Sequence, residues 1–106
     1  MSNSIEFKNL ISNEIEDHLS SIKQLYHLNR EIEFISQKII KLLKRKNKLL
    51  ICGNGGSSSD ANHLSSELVG KFEKLRKSYP AISLSSDTSA LTAIGNDYGF
   101  DKIFSR

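Results

Sequence analysis

A chain of 106 residues with 38% hydrophobic and 25% charged residues has the composition of one folded globular domain, which excludes an intrinsically disordered chain. No apolar run approaches the ~20 residues that a transmembrane helix needs. The N-terminus also lacks the layout of a signal peptide, so we expect no membrane partner. The single cysteine, Cys52, excludes an internal disulfide and is typical of the reducing cytoplasm, where we expect the protein to be located.

Two stretches of apolar residues at three- and four-residue spacing predict two amphipathic helices before residue 47. The stretches comprise Ile11, Ile15, Leu19, Ile22 and Tyr26, then Leu28, Ile32, Ile35, Ile39 and Leu42. Asn29 is a candidate N-cap and predicts a break at residues 27–29, although one long bent helix fits the pattern equally well. Residues 1–46 therefore form a predicted helical arm that covers the sheet, packs against the same arm of another subunit, or does some of each.

The formal net charge of +3 is concentrated at the predicted end of this arm. The basic cluster comprises Lys41, Lys44, Arg45, Lys46 and Lys48. Cations near a helix C-terminus complement the helix dipole, which accounts for the cluster. A nucleic-acid surface is the alternative, but no aromatic residues interleave with these charges, so we expect no nucleic-acid partner.

After the arm, the pattern changes to short strands that alternate with helices. It predicts a strand over residues 48–52, a helix over 59–72, a strand over 81–85 and a short helix to residue 94. Ser86 or Asp87 caps the short helix, a turn follows at residues 95–99, and a further helix begins at Asp101. The predicted inner face of the first of these helices carries Ala61, Leu64, Leu68 and Phe72.

This order of elements predicts an α/β fold with a parallel sheet. Two parallel strands do not make a stable sheet with both faces covered. We therefore expect residues 47–106 to be the N-terminal portion of a longer α/β domain whose C-terminal part is absent, unless another polypeptide supplies the missing edge.

A glycine-rich turn, Gly53-Asn54-Gly55-Gly56, joins the first predicted strand to the next helix. Glycines let the backbone approach a ligand closely, and the amides at a helix N-terminus donate to anions, usually phosphate. The spacing matches neither a Walker loop nor a dinucleotide-binding turn. A strand-to-helix turn without any ligand is the alternative.

A histidine and a carboxylate follow the turn at i and i+4, which places His63 and Glu67 on one helix face. Both side chains can bind a divalent metal, preferably zinc, although two ligands do not complete a site. Glu67 can instead serve as a general base. The alternative is a surface pair worth a few tenths of a kcal/mol.

Two further positions carry groups of interest. Asn96 and Asp97, in the second predicted turn, can hydrogen-bond sugar hydroxyls, although turn formation alone explains both residues. We expect Cys52 to be a buried small hydrophobic residue rather than a nucleophile.

Four ordered motifs give the chain a resemblance to the sugar isomerase (SIS) domain family, and more narrowly to its phosphoheptose isomerases. They are Cys-Gly-Asn-Gly-Gly-Ser at 52–57, Asp-Ala-x-His-x-x-x-Glu-Leu at 60–68, Tyr-Pro-Ala-Ile-x-Leu at 79–84 and Ile-Gly-Asn-Asp-Tyr-Gly-Phe-Asp-x-Ile-Phe-Ser-Arg at 94–106. The resemblance implies a three-layer fold with a five-stranded parallel sheet, a homotetramer, and a cytoplasmic isomerase. Its reaction interconverts sedoheptulose 7-phosphate and D-glycero-D-manno-heptose 7-phosphate through an enediol, for lipopolysaccharide or capsule biosynthesis.

The resemblance also implies residue roles. The implied substrate contacts are Asn54, Gly55, Gly56, Ser57, Glu67, Asn96 and Asp97. Glu67 matches the catalytic base, and His63 and Glu67 match ligands of one zinc ion per subunit. The family's second phosphate loop, and the helix whose glutamine and histidine complete the metal site, correspond to positions beyond Arg106. The alternatives are a non-catalytic SIS scaffold that binds a sugar phosphate or a protein partner, and an inactive fragment.

Overall fold

The computed structural model describes residues 2–106, with side chains from Glu6 onward, and divides into two compact units. One unit ends at Lys38 and the other is Ile39–Arg106. The helices are α1 (Ser2–Gln24), α2 (Asn29–Lys44), α3 (Gly56–Val69) and α4 (Thr88–Tyr98), with 3-10 helices at Leu25–Leu28 and Phe100–Lys102, and the strands are β1 (Leu49–Ile51) and β2 (Ala81–Ser83). The predicted division into an arm and an α/β portion at residue 46 stays a prediction. Among the described residues, no helix is both long and apolar enough to cross a membrane.

The first unit is helical, as its apolar spacing predicts. A 3-10 helix, Leu25–Leu28, separates α1 from α2 near the expected break. The prediction of an N-cap at Asn29 is wrong, because its backbone has helical angles (φ −55°, ψ −40°) rather than the extended ones of a cap. Every large apolar side chain described from Phe7 to Ile35 is at least 43% exposed. The apolar stripe of this unit is thus unpartnered within it.

In the second unit, β1 and β2 pair in parallel, which confirms the predicted sheet type. Leu49 lies opposite Ala81, and Ile51 lies opposite Ser83. The Leu49 amide donates to the Pro80 carbonyl (2.9 Å), and the Leu84 amide donates to the Ile51 carbonyl (2.8 Å), so the pairing extends past both ends. Because α3 connects the two strands, the carboxyl end of β1 leads directly to the N-terminus of α3.

Helix α3 begins at Gly56, three residues earlier than predicted. Gly55 has a positive φ of 55°, which turns the chain so that helical bonding starts at once. The Ser57 amide donates to the Asn54 carbonyl and the Ser58 amide to the Gly55 carbonyl, each at 3.1 Å. Ser57 and Ser58, which precede the predicted helix, therefore lie in the first turn of α3.

The buried residues of this unit are small, and they differ from the predicted core. They are Ala61, Ala81, Ser83 and Ser85, each between 3% and 8% exposed. Of the predicted inner face of α3, Ala61 is buried, but Leu64 is 49% exposed, and Phe72, which lies past the helix end, is 66% exposed. Cys52 is also exposed, so the prediction of a buried thiol is wrong.

Helix α4 confirms the predicted cap and corrects the predicted turn. Asp87 Oδ1 accepts a hydrogen bond from the Ala90 amide (2.9 Å). The helix then continues to Tyr98, so Asn96 and Asp97 are helical and the predicted turn at 95–99 is wrong. A glycine inside a helix costs only ~1 kcal/mol, and Gly95 does not end α4. Gly99, with φ +96°, ends it instead, and a 3-10 helix replaces the helix predicted from Asp101.

Candidate functional site

The glycine turn depends on close contact between two stretches of backbone. A β-carbon at Gly53 would clash with the backbone carbonyl and the side chain of Ser57. At Gly55 there is open space, but the positive φ favours glycine. Both positions need glycine, for different physical reasons. Within the described residues, the Gly55 and Gly56 amides have no hydrogen-bond acceptor, so they are available to a ligand.

A buried serine joins this turn to the end of β2. Ser85 Oγ donates to the Gly53 carbonyl (3.0 Å) and accepts from the Gly53 amide (3.3 Å). The Ser85 amide in turn donates to Ser83 Oγ (3.2 Å). Both serine residues are 4% exposed. Sequence reasoning missed them, although Ala81, Ser83 and Ser85 share one face at the two-residue period of a strand.

The His63–Glu67 pair forms as the helical spacing predicts. His63 Nε2 lies 3.3 Å from Glu67 Oε1, with 76% and 32% of the two side chains exposed. A pair so exposed contributes little to stability. Its geometry brings an imidazole nitrogen and a carboxylate oxygen to a single point, as proton transfer or metal binding requires.

This pair lines a cavity of about 450 Å³. The lining residues are Asp60, His63, Leu64, Glu67, Leu68, Phe72 and Arg76. Asp60 adds a second carboxylate to the polar part of the lining. The apolar part is formed by Leu64, Leu68 and Phe72. The exposure of Leu64 and Phe72 is thus exposure into a concave surface that also carries the candidate base.

Arg76 is the second residue that sequence reasoning missed. Its Nη2 donates to the Glu67 carbonyl (2.6 Å), and its Nη1 donates to the carbonyls of Leu68 (2.9 Å) and Lys77 (3.1 Å). The guanidinium carbon lies 4.6 Å from the centre of the Tyr79 ring. No periodicity marks this position, since Arg76 lies in a segment without regular structure.

A second cavity, of about 320 Å³, lies between the glycine turn and α4. Asn54, Gly55 and Ser58 line it from one side, and Leu91, Thr92 and Gly95 line it from the other. The two cavities share no lining residue.

The other predicted site residues, which are Gly56, Ser57, Asn96 and Asp97, lie outside both cavities. Asn96 and Asp97 do not line either one; Asn96 Nδ2 instead donates to Asp97 Oδ1 (2.8 Å), and both residues are exposed. The structure therefore brings His63 to Glu67, and the glycine turn to α4, without joining all the predicted residues in one cavity.

His63 and Glu67 carry the kinds of ligand atom that zinc binds, but they are fewer than a complete zinc site needs. Imidazole nitrogen and carboxylate oxygen are both zinc ligands. Within the part of the chain that the structure describes, no group of three or more His, Cys, Asp or Glu side chains is placed to hold a metal ion. The two residues present can supply half of a four-coordinate shell.

Comparison with known proteins gives a consistent assignment. A model of the SIS domain family matches residues 12–106. The chain is 48% identical over 99 residues to a phosphoheptose isomerase of Campylobacter concisus, covering 93% of this chain and 52% of that protein. It is 50% identical over 97 residues to a phosphoheptose isomerase of Helicobacter hepaticus, covering 92% of this chain and 50% of that protein. The chain thus spans about half the length of the curated relatives it matches.

Solved structures agree with the sequence relatives. A phosphoheptose isomerase from Neisseria gonorrhoeae matches with a TM-score of 0.85 and 34% identity, covering 93% of this chain and 51% of that one. A phosphoheptose isomerase from Francisella tularensis matches with a TM-score of 0.83 and 33% identity, covering 94% of this chain and 52% of that one.

Proposed function

The chain belongs to the SIS domain family, and on that premise we propose that the protein interconverts sedoheptulose 7-phosphate and D-glycero-D-manno-heptose 7-phosphate. The observation that carries the proposal is the His63–Glu67 pair, with 3.3 Å between nitrogen and oxygen, about two to three helical turns after the glycine turn. A non-catalytic scaffold has no need for a paired base in a concave surface. The similarity to phosphoheptose isomerases of several bacteria supplies the substrate class.

Glu67 acts as the base in the proposed reaction. Its carboxylate accepts the proton from C1 of the ketose while the hydroxyl proton moves from O1 to O2, giving the anionic (enediolate) form of the enediol with its charge on O1 and a protonated Glu67. The carboxyl group then returns the proton to C2, which leaves the aldehyde at C1. His63, next to the carboxylate, keeps Glu67 oriented toward the cavity that both residues line.

The glycine turn binds the sugar in this proposal. The amides of Gly55 and Gly56 and the hydroxyl of Ser57 donate to substrate oxygens, and Asn54 adds an amide side chain. Asn96 and Asp97, which hydrogen-bond each other on α4, are proposed as further substrate contacts.

The base is tested by assaying the full-length protein on sedoheptulose 7-phosphate. General base catalysis contributes about 100- to 10,000-fold, so Glu67→Gln is expected to lower kcat at least ~100-fold. The matched control is Glu73→Gln, an exposed glutamate six residues further on, which leaves kcat unchanged. Full turnover in Glu67→Gln would remove this residue from the mechanism.

We further propose one zinc ion per subunit, held in part by His63 and Glu67. Bound zinc would polarise the substrate carbonyl. The support is the chemistry of the two side chains, whose nitrogen and oxygen lie 3.3 Å apart. Metal analysis of the full-length protein tests this: zinc that is present in the wild type and lost in His63→Ala supports the assignment, while equal zinc in both contradicts it.

A homotetramer in the cytoplasm, supplying heptose for surface polysaccharide, completes the proposal. The support for self-association is the apolar stripe of the first unit, which is at least 43% exposed along its described length. Light scattering after size exclusion tests it, with Ile15→Asp and Ile22→Asp on the stripe expected to release monomers. The control is Glu14→Lys, which changes charge without altering the apolar residues; a monomeric wild type would overturn this part.

A further inference from the structure

The candidate base lies in the most fragile part of its helix. Glu67 is in the last turn of α3, which ends at Val69. The last four carbonyls of a helix have no partner inside the helix, and such ends fray unless other groups satisfy them. The position of the Glu67 carboxylate therefore depends on what holds the carbonyls of that turn.

Three consecutive carbonyls of this turn are satisfied from the segment that follows it. The Ser66 carbonyl accepts from the Gly70 amide (2.8 Å). The Leu68 carbonyl accepts from the Tyr79 amide (3.0 Å) and from Arg76 Nη1 (2.9 Å). The Glu67 carbonyl accepts from Arg76 Nη2 (2.6 Å). Arg76 bonds two adjacent carbonyls of this turn, including that of Glu67 itself.

The arrangement suits arginine rather than lysine. A planar guanidinium presents several N–H donors in a rigid fork and can reach neighbouring acceptors at once, whereas an ammonium is a single point charge. Tyr79, 4.6 Å away, lies against the guanidinium and limits its freedom. A positive charge at this end also complements the helix dipole.

We propose that Arg76 is a positioning residue for Glu67, fixing the last turn of α3 so that the carboxylate stays in register with its substrate. The inference rests on the proposed function, because it concerns the base of that reaction. Arg76 contacts the backbone of Glu67, so it acts on the carboxylate through the helix turn that carries it. Misplacement of a catalytic group by ~1 Å can cost about 100-fold in rate, so a frayed turn lowers turnover without removing any reacting group.

The test compares Arg76→Gln, Arg76→Lys and the control Lys77→Gln in the full-length protein. Lys77 is an exposed neighbour that offers only its backbone carbonyl to this network, so its side chain is dispensable. Per folded molecule, we expect kcat to fall about 10-fold in Arg76→Gln, about threefold in Arg76→Lys, which keeps one donor, and not at all in the control. KM stays within twofold of the wild-type value, because the glycine turn is untouched.

Amide hydrogen exchange provides an independent measurement. Faster exchange at residues 67–69 in Arg76→Gln, with residues 60–63 unchanged, supports the inference together with the kcat loss. If the wild type is active, an unchanged kcat in Arg76→Gln overturns the inference. A loss of kcat in Lys77→Gln equal to that in Arg76→Gln overturns it as well. If Arg76→Gln does not fold, Arg76→Lys decides, since wild-type kcat in that variant overturns the inference. A wild type without isomerase activity instead overturns the proposed function, which keeps the two failures distinct.

Discussion

The two ends of α3 are held by different physical means. At the N-terminal end, Gly53 packs against Ser57 with no room for a β-carbon at Gly53. The buried Ser85 hydroxyl hydrogen-bonds both the amide and the carbonyl of Gly53. At the C-terminal end, a half-buried arginine bonds the last carbonyls, and the functional pair is 76% exposed at His63 and 32% exposed at Glu67. The first end is fixed by packing and by a buried hydroxyl, and the second by hydrogen bonds from a partly exposed side chain. Substitutions should therefore cost stability at the first and function at the second.

The largest expected effect tests the tight contact at the N-terminal end. Gly53→Ala places a methyl group against the backbone of Ser57, and backbone atoms cannot move aside as a flexible side chain can. We expect the free energy of unfolding to fall by about 3 kcal/mol, at the upper end of overpacking costs. Urea unfolding of the full-length protein measures this.

The control for that variant is Gly56→Ala, three residues further on. A β-carbon at Gly56 meets nothing within 4 Å, and the residue opens a helix in which alanine is favoured. Its stability should be unchanged or slightly raised. Equal losses in both variants would mean that the turn, rather than the contact with Ser57, is what limits stability.

A smaller effect is expected from the serine that joins the turn to β2. Ser85→Ala leaves the amide and carbonyl of Gly53 without their partner, which should lower the free energy of unfolding by about 2 kcal/mol. Ser85→Thr retains the hydroxyl and should recover part of the loss. Ser83 is equally buried, but its hydroxyl accepts a hydrogen bond only from the Ser85 amide. Ser83→Ala should therefore lose less stability than Ser85→Ala, and the opposite ranking would contradict this account.

The smallest effect is expected at the other end of the helix. His63→Ala removes a contact in which the histidine side chain is 76% exposed, so in metal-free protein the free energy of unfolding in urea should fall by less than ~0.5 kcal/mol. Asn62→Ala, an exposed neighbour on α3, provides the comparison. A large loss of stability in His63→Ala, without one in Asn62→Ala, would show that the His63–Glu67 pair stabilises the fold. The two ends of α3 would then not differ as described.

Local patterns in the sequence predicted the elements whose causes are local. The i, i+4 spacing brought His63 to Glu67, and the carboxylate of Asp87 caps α4 as expected. The order of strand, helix and strand predicted the parallel pairing of β1 with β2. Each of these depends on residues close in the chain or on the general geometry of a crossover.

Two of the errors in element bounds arose where glycine has two uses. The sequence predicts that α4 ends before Gly95, but the helix continues to Tyr98, and Gly99, with a positive φ, ends it. Similarly, Gly55 starts α3 three residues earlier than expected, because its conformation lets helical bonding begin at Asn54. Single-residue patterns do not distinguish a tolerated glycine from a required one, since the difference is a backbone angle.

By itself, the sequence determined the helices, the parallel strands, the SIS family and the face that His63 shares with Glu67. Periodicity and short-range spacing are enough for the elements and the shared face, because neighbours on a helix or strand are set by its geometry. The family rests instead on the resemblance in four ordered motifs. Only the tertiary structure decided that Ser85 would anchor the glycine turn across 32 residues of chain, and that Arg76 would cap the turn that carries Glu67. Such contacts join residues whose separation follows no period, so they exist only once the elements have packed.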